Sequence, residues 1–167
     1  FRHPGQRRPS AGACRVKMPT SEVSPWLEHC AQIAMGMRGI RPGLKKPKYL
    51  KSLIVRQLEA DGWYCHTHFF VPSRGSNDHY RGILDLITWP PPYPDPRGPE
   101  HKPNPHISNR PPPVLIEQDK TRVYLKTRAK LAAFTYPASG RLVILSQADD
   151  SPQFDGIDLI VCLGANS

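Results

Sequence analysis

The sequence predicts an α/β fold: a mixed central sheet flanked by helices, preceded by an N-terminal helical extension. Three observations predict it. From Pro47 onward the apolar residues change period, in the order helix, strand, strand, strand, helix, strand. The strand-like runs are rich in β-branched and aromatic residues. Gly, Pro, Asn and Asp clusters punctuate them.

The elements follow in chain order. Residues 1–20 are rich in Arg, Pro, Gly and Ser and read as a disordered basic tail. Residues 21–46 form the helical extension. Ser24 as N-cap and Pro25 at the first helical position open a helix that runs to about Met37. Gly39, Pro42 and Gly43 break the pattern, and Lys45, Lys46 and Lys48 make a basic loop.

Residues 47–167 form the main domain. Its first helix, Pro47 to Ala60, carries Leu50, Leu53, Ile54 and Leu58 at helical spacing, and Asp61-Gly62 closes it. Tyr64 to Val71 and Arg81 to Trp89 read as strands of one hairpin around a turn at Ser73 to Asp78. Residues 90–113 hold eleven prolines in twenty-four positions. Proline removes the backbone donor and fixes φ, so this stretch reads as an extended surface insertion. It also offers a site for a proline-recognising protein partner. A strand at Val114 to Asp119, a helix at Arg122 to Phe134, a strand at Gly140 to Ser146 and a last strand at Ile157 to Leu163 complete the domain.

Composition narrows the partners. The formal charge is +9, with 23 Lys and Arg against 14 Asp and Glu. Such a balance points to a polyanion, nucleic acid first. No run approaches the ~20 apolar residues of a membrane span. The basic N-terminus is not followed by an apolar signal core. Four cysteines, at 14, 30, 65 and 162, form no CxxC pair and read as free thiols of a cytoplasmic protein. Cys65-His66-Thr67-His68 lacks a second cluster at zinc spacing and reads as ordinary strand. Dinucleotide, P-loop and serine-hydrolase motifs do not occur.

Two apolar runs carry acid where a buried strand carries none: Gly82-Ile83-Leu84-Asp85-Leu86-Ile87 and Val114-Leu115-Ile116-Glu117-Gln118-Asp119-Lys120. Side chains alternate across a strand, so Glu117 and Asp119 share one face of theirs. Register can set Asp85 beside Glu117. Like charges so placed raise at least one pKa unless a cation lies between them. Mg2+, or Mn2+ in its place, takes hard oxygen ligands of this kind and suits phosphodiester chemistry. Lys45, Lys46, Lys48, Lys51 and Arg56 supply phosphate contacts without reading sequence.

The αβββαβ order, the isolated Asp85 and the acidic motif after a hydrophobic strand resemble the PD-(D/E)XK nuclease superfamily over roughly residues 47–147. The resemblance implies a restriction-endonuclease-like core and Mg2+-dependent hydrolysis of phosphodiester bonds in DNA. It implies Asp85 as the lone metal-binding Asp and Glu117 as the first acid of the (D/E)XK element. It further implies the Gln118 backbone carbonyl as a metal ligand and Glu59 as the glutamate of the first core helix; Asp119, on the face of Glu117, is read as an added ligand beside these. The sequence departs from the pattern at the lysine, whose position is Asp119. Lys120 points to the opposite face. Lys126 and Lys130, four apart on the following helix, are the alternatives for the catalytic lysine. The departure equally suits a catalytically inactive member that binds nucleic acid or protein.

Overall fold

The structure is a computed structural model describing residues 14–17, 23–72, 80–94, 97–98 and 109–164. In chain order the elements are β1 (Cys14–Lys17), α1 (Pro25–Met35), α2 (Pro47–Ala60), β2 (Tyr64–Pro72), β3 (Tyr80–Trp89), β4 (Val114–Asp119), α3 (Leu125–Ala133), β5 (Gly140–Leu145) and β6 (Leu159–Cys162). A 3-10 turn at Pro42–Lys45 separates α1 from α2.

One six-stranded mixed sheet runs in the order β1-β6-β5-β4-β3-β2. β2, β3 and β4 form an antiparallel meander. α3 then crosses over so that β5 lies parallel to β4, with β6 parallel to β5. β4 and β5 alternate their contents between two faces. Ile116, Leu142 and Ile144 pack beneath α1 and α2. Leu115, Val143 and Leu145 face the other way, toward Leu131 and Phe134. Burial on both faces explains why these strands are almost continuously apolar.

Local chemistry sets the helix ends. Ser24 is extended, and its hydroxyl accepts from the Leu27 amide at 3.1 Å. The same hydroxyl donates to the Ser139 carbonyl at 2.7 Å, which ties the start of α1 to the segment entering β5. α2 buries Leu50, Ile54 and Leu58 along one stripe. α3 is held at both ends. Asp119 takes the Tyr124 amide at 3.1 Å and the Thr127 hydroxyl at 2.9 Å. Arg141 donates to the carbonyls of Leu131 at 3.0 Å and Phe134 at 2.6 Å, which the helix itself leaves without partners. The anchorage by Asp119 explains why the helix begins at Leu125 and not at Arg122.

The described parts of 90–113 contain neither α-helix nor strand. Arg110 fastens this segment to the far end of the β2–β3 hairpin by donating to the carbonyls of Gly62 and Pro90 at 2.8 and 3.0 Å. The expected turn at Ser73 to Asp78 lies outside the described residues.

Three expectations are corrected. Residues 14–17, read as part of a disordered tail, form β1 and pair antiparallel with β6. Cys14 and Cys162, read as free thiols, stand directly opposite in that pairing and are disulfide-linked; Cys30 and Cys65 are free. Their separation of 148 residues hid the contact from any local reading. Lastly, α1 is no extension: Leu27, Cys30, Ala31, Ile33 and Ala34 belong to the main core. Among the described residues no helix is long and apolar enough to cross a membrane.

Gly140 permits the close approach of α1 to β5. A Cβ there would lie 2.6 Å from Leu27 Cδ2 and 2.9 Å from its Cβ. Gly140→Ala is therefore expected to cost about 1–3 kcal/mol in urea denaturation, the usual range for overpacking. Gly43→Ala, whose Cβ meets nothing within 4 Å, is the control and should be near neutral. Equal losses in the two variants would contradict this packing.

Candidate active site

The sheet is interrupted at one rung, and the acids stand there. β2 and β3 pair Thr67 with Leu86 and Phe69 with Leu84, leaving out the rung of His68 and Asp85. The β3–β4 ladder ends at Leu86 and Ile116; one further step sets Asp85 opposite Glu117. His68 has a left-handed backbone, φ 57°, a region that residues other than glycine adopt rarely. Facing also reverses across this rung. Leu86 packs with the α1–α2 core, whereas Leu84 and Phe69 pack on the α3 side.

Side chains replace the missing ladder bonds. The Asp85 amide donates to Glu117 Oε2 at 2.5 Å, and the Gln118 amide donates to Asp85 Oδ2 at 3.0 Å. Each acid thus accepts a backbone donor from the other's strand. Buried amides require partners, and here the carboxylates supply them.

Glu117 is only 1% exposed. Lys130, from α3, places Nζ 2.5 Å from Glu117 Oε1 and donates to the Ile83 carbonyl at 2.9 Å. Gly82 clears its path. A Cβ at Gly82 would lie 2.6 Å from Lys130 Cγ and 2.7 Å from Cδ, and φ there is 151°. Burial, and then the negative charge of Asp85, push the Glu117 carboxyl up to about 7. Lys130 and the Asp85 amide oppose that rise. Burial also raises Asp119, whose bonds to Tyr124 and Thr127 pull it the other way.

Asp85, Glu117 and Lys130 therefore form one contact group. Asp119 lies within electrostatic reach of Asp85 and Lys130, but its two oxygens are engaged by the start of α3. Gln118 takes part through its backbone. Its side-chain Oε1 and Nε2 are buried without a hydrogen-bond partner. Lys126 is exposed on α3. Glu59 is exposed at the other end of α2 and is felt electrostatically at Cys65, three residues before His68 on β2 and so roughly 10 Å along the strand from it. Of the basic residues expected to meet phosphate, Lys46, Lys48 and Arg56 are exposed and Lys51 is half-buried beside His68. Lys45 is 2% exposed and donates to the Gly164 carbonyl at 2.8 Å, so it cannot serve an outside ligand.

Reading the sequence missed Gly82 and His68. A glycine inside a strand does signal a close approach. Among the described residues no group of three or more His, Cys, Asp or Glu side chains is arranged to hold a metal. The chain matches no family model, no curated protein and no solved structure at a significant level.

Two outcomes follow. Glu117 ionises near its ordinary 4.5 when unfolded and near about 7 when folded. Between these values the folded state holds more protons, so this contribution is fully present at low pH and is lost as pH rises through the window. Glu117→Gln should flatten the fall in stability across that window, by about 3 kcal/mol; an unchanged slope in pH-dependent melting would refute the burial argument. Lys130→Met should cost about 3–5 kcal/mol at high pH, where it strands a buried carboxylate. The cost should shrink in acid, and the Lys130→Met, Glu117→Gln double variant should recover most of it.

Proposed function

We propose that this chain is a Mg2+-dependent nuclease of the PD-(D/E)XK type, hydrolysing phosphodiester bonds in DNA. The observation that carries the reading is the meeting of Asp85, Glu117 and Lys130 where the sheet opens. The αβββαβ order supports it: an antiparallel meander, a crossover helix, then a parallel strand. In this reading these elements are a restriction-endonuclease-like core, and the lysine comes from α3.

The donor set fits a divalent cation. Once Glu117 is ionised, as pH rises through about 7, the two acids carry more charge than the one ammonium offsets, and all the donors are hard oxygens. Asp85, Glu117 and the Gln118 carbonyl would hold Mg2+, or Mn2+. Bound there, the ion would supply Lewis-acid charge for activating water and offsetting charge on the phosphate. Lys130 would donate to a phosphate oxygen as negative charge develops. Asp119 would hold α3, and so Lys130, in place. Lys46, Lys48, Lys51 and Arg56 would engage the DNA backbone. We place this activity in the cytoplasm, a placing that suits the free thiols and that the Cys14–Cys162 disulfide opposes.

A second reading has its own support. Lys130 and the two crossed amides already satisfy the acids without a metal. A non-cleaving module that binds nucleic acid, or binds a protein through the proline-rich segment, would have the same internal bonds.

Calorimetry with Mg2+ and a plasmid-cleavage assay separate the two. The nuclease reading expects the wild type to bind Mg2+ and nick DNA. Asp85→Asn should lose metal binding and reduce cleavage by about 10²-fold or more, the scale of losing one electrostatic stabiliser. A wild type that binds DNA but neither Mg2+ nor cleaves it would establish the binding module.

A further inference from the structure

Beyond the acid pair, the interrupted rung has a basic end. Lys51 projects from α2 and places Nζ 3.3 Å from His68 Nε2. His68 is exposed and Lys51 half-buried. His68 stands opposite Asp85 in the β2–β3 register, and Asp85 stands opposite Glu117. Across the strands the rung therefore runs from His68 at the β2 edge to the two acids; Lys51 reaches His68 from α2, and Lys130 reaches Glu117 from α3 on the opposite face. Lys51 donates to His68 Nε2, because an ammonium has no acceptor, and the other N–H groups of the pair can meet an anion's oxygens at this solvent-facing edge.

The backbone adds an independent observation. His68 takes a left-handed conformation that glycine or asparagine adopts more readily. The reversal of facing at this rung requires such a residue, but it does not require an imidazole. An outlier of this kind at a candidate site points to use of the side chain.

We propose that Lys51 and His68 form a phosphate subsite at the β2 edge of the sheet, which holds a phosphodiester of the nucleic-acid backbone. The proposal rests on the nuclease reading for its biological substrate, but not for its test. Lys51 Nζ, which also donates to His68 Nε2, gives a second N–H to one non-bridging oxygen, and His68 Nδ1 donates to another. Lys48, one turn earlier on α2 and exposed, extends the basic edge. Neither Lys51 nor His68 is assigned a chemical step; both are positioning residues.

The test follows the histidine ring signals of the full chain by NMR while inorganic phosphate is added at constant pH and ionic strength. His68 should shift saturably, while His29 and His66 remain as controls. Lys51→Met should weaken that response by about tenfold, the loss of one charge-assisted contact. His68→Asn keeps a residue tolerant of the left-handed backbone. In plasmid cleavage it should raise KM more than it lowers kcat. A His68 signal that moves no more than those of His29 and His66 would overturn the subsite, even if the wild type cleaves DNA. If the wild type does not cleave, the nuclease reading fails, and a saturable, Lys51-dependent shift still establishes the phosphate site.

Discussion

Burying a carboxylate in the middle of a sheet is costly unless hydrogen bonds and a counter-charge meet it. Glu117 imposes that constraint, and much of the molecule is arranged around it. The Asp85 amide meets one oxygen and the Lys130 ammonium the other. For the amide to be available, the β3–β4 ladder must stop at Leu86 and Ile116. For the ammonium to arrive, α3 must lie across β3, and Gly82 must leave room for the lysine stem.

The position of α3 is over-determined for the same reason. Asp119 anchors its first turn and Arg141 its last carbonyls. Those anchors come from β4 and β5, the two parallel strands that the helix connects. The crossover is thus tied to both its strands by side chains as well as by the chain. Lys130 is delivered from a rigid element, which is what a catalytic or binding constellation needs. Asp119 would otherwise stand as a third acid beside the pair; its engagement with the helix gives it a different task.

The opposite face of the sheet is built for stability. α1 and α2 cover it with an apolar layer that includes Leu27, Ile33, Leu50, Ile54 and Leu58. Lys45 is the exception, a buried ammonium that ties the 3-10 turn to the carbonyls after β6. β1 and the Cys14–Cys162 disulfide fasten the neighbouring edge. The charged rung lies toward the other edge, where β2 is the last strand. One edge is therefore closed by a covalent link, and the other presents His68 and Lys51.

Short-range physics was legible in the chain itself. Ser24 and Pro25 mark the start of α1, and α2 runs from Pro47 to Ala60 as its apolar spacing predicts. β4 runs from Val114 to Asp119, where its apolar run lies, and alternation places Glu117 and Asp119 on one face. Residues two or four positions apart decide these features, so a linear reading reaches them. Packing decided the rest. Lys126 and Lys130 are one turn apart on one helix, and only the docked orientation of α3 brings Lys130 to Glu117 and leaves Lys126 in solvent. Burial of Lys45, the Cys14–Cys162 link and the reversal at His68 depend on contacts with residues remote in sequence or across the sheet. Composition and periodicity determined which groups this chain carries and in what order its elements come. Which of those groups touch was decided only when the sheet closed its register, because a side chain's partner is set by position in space and not by spacing along the chain.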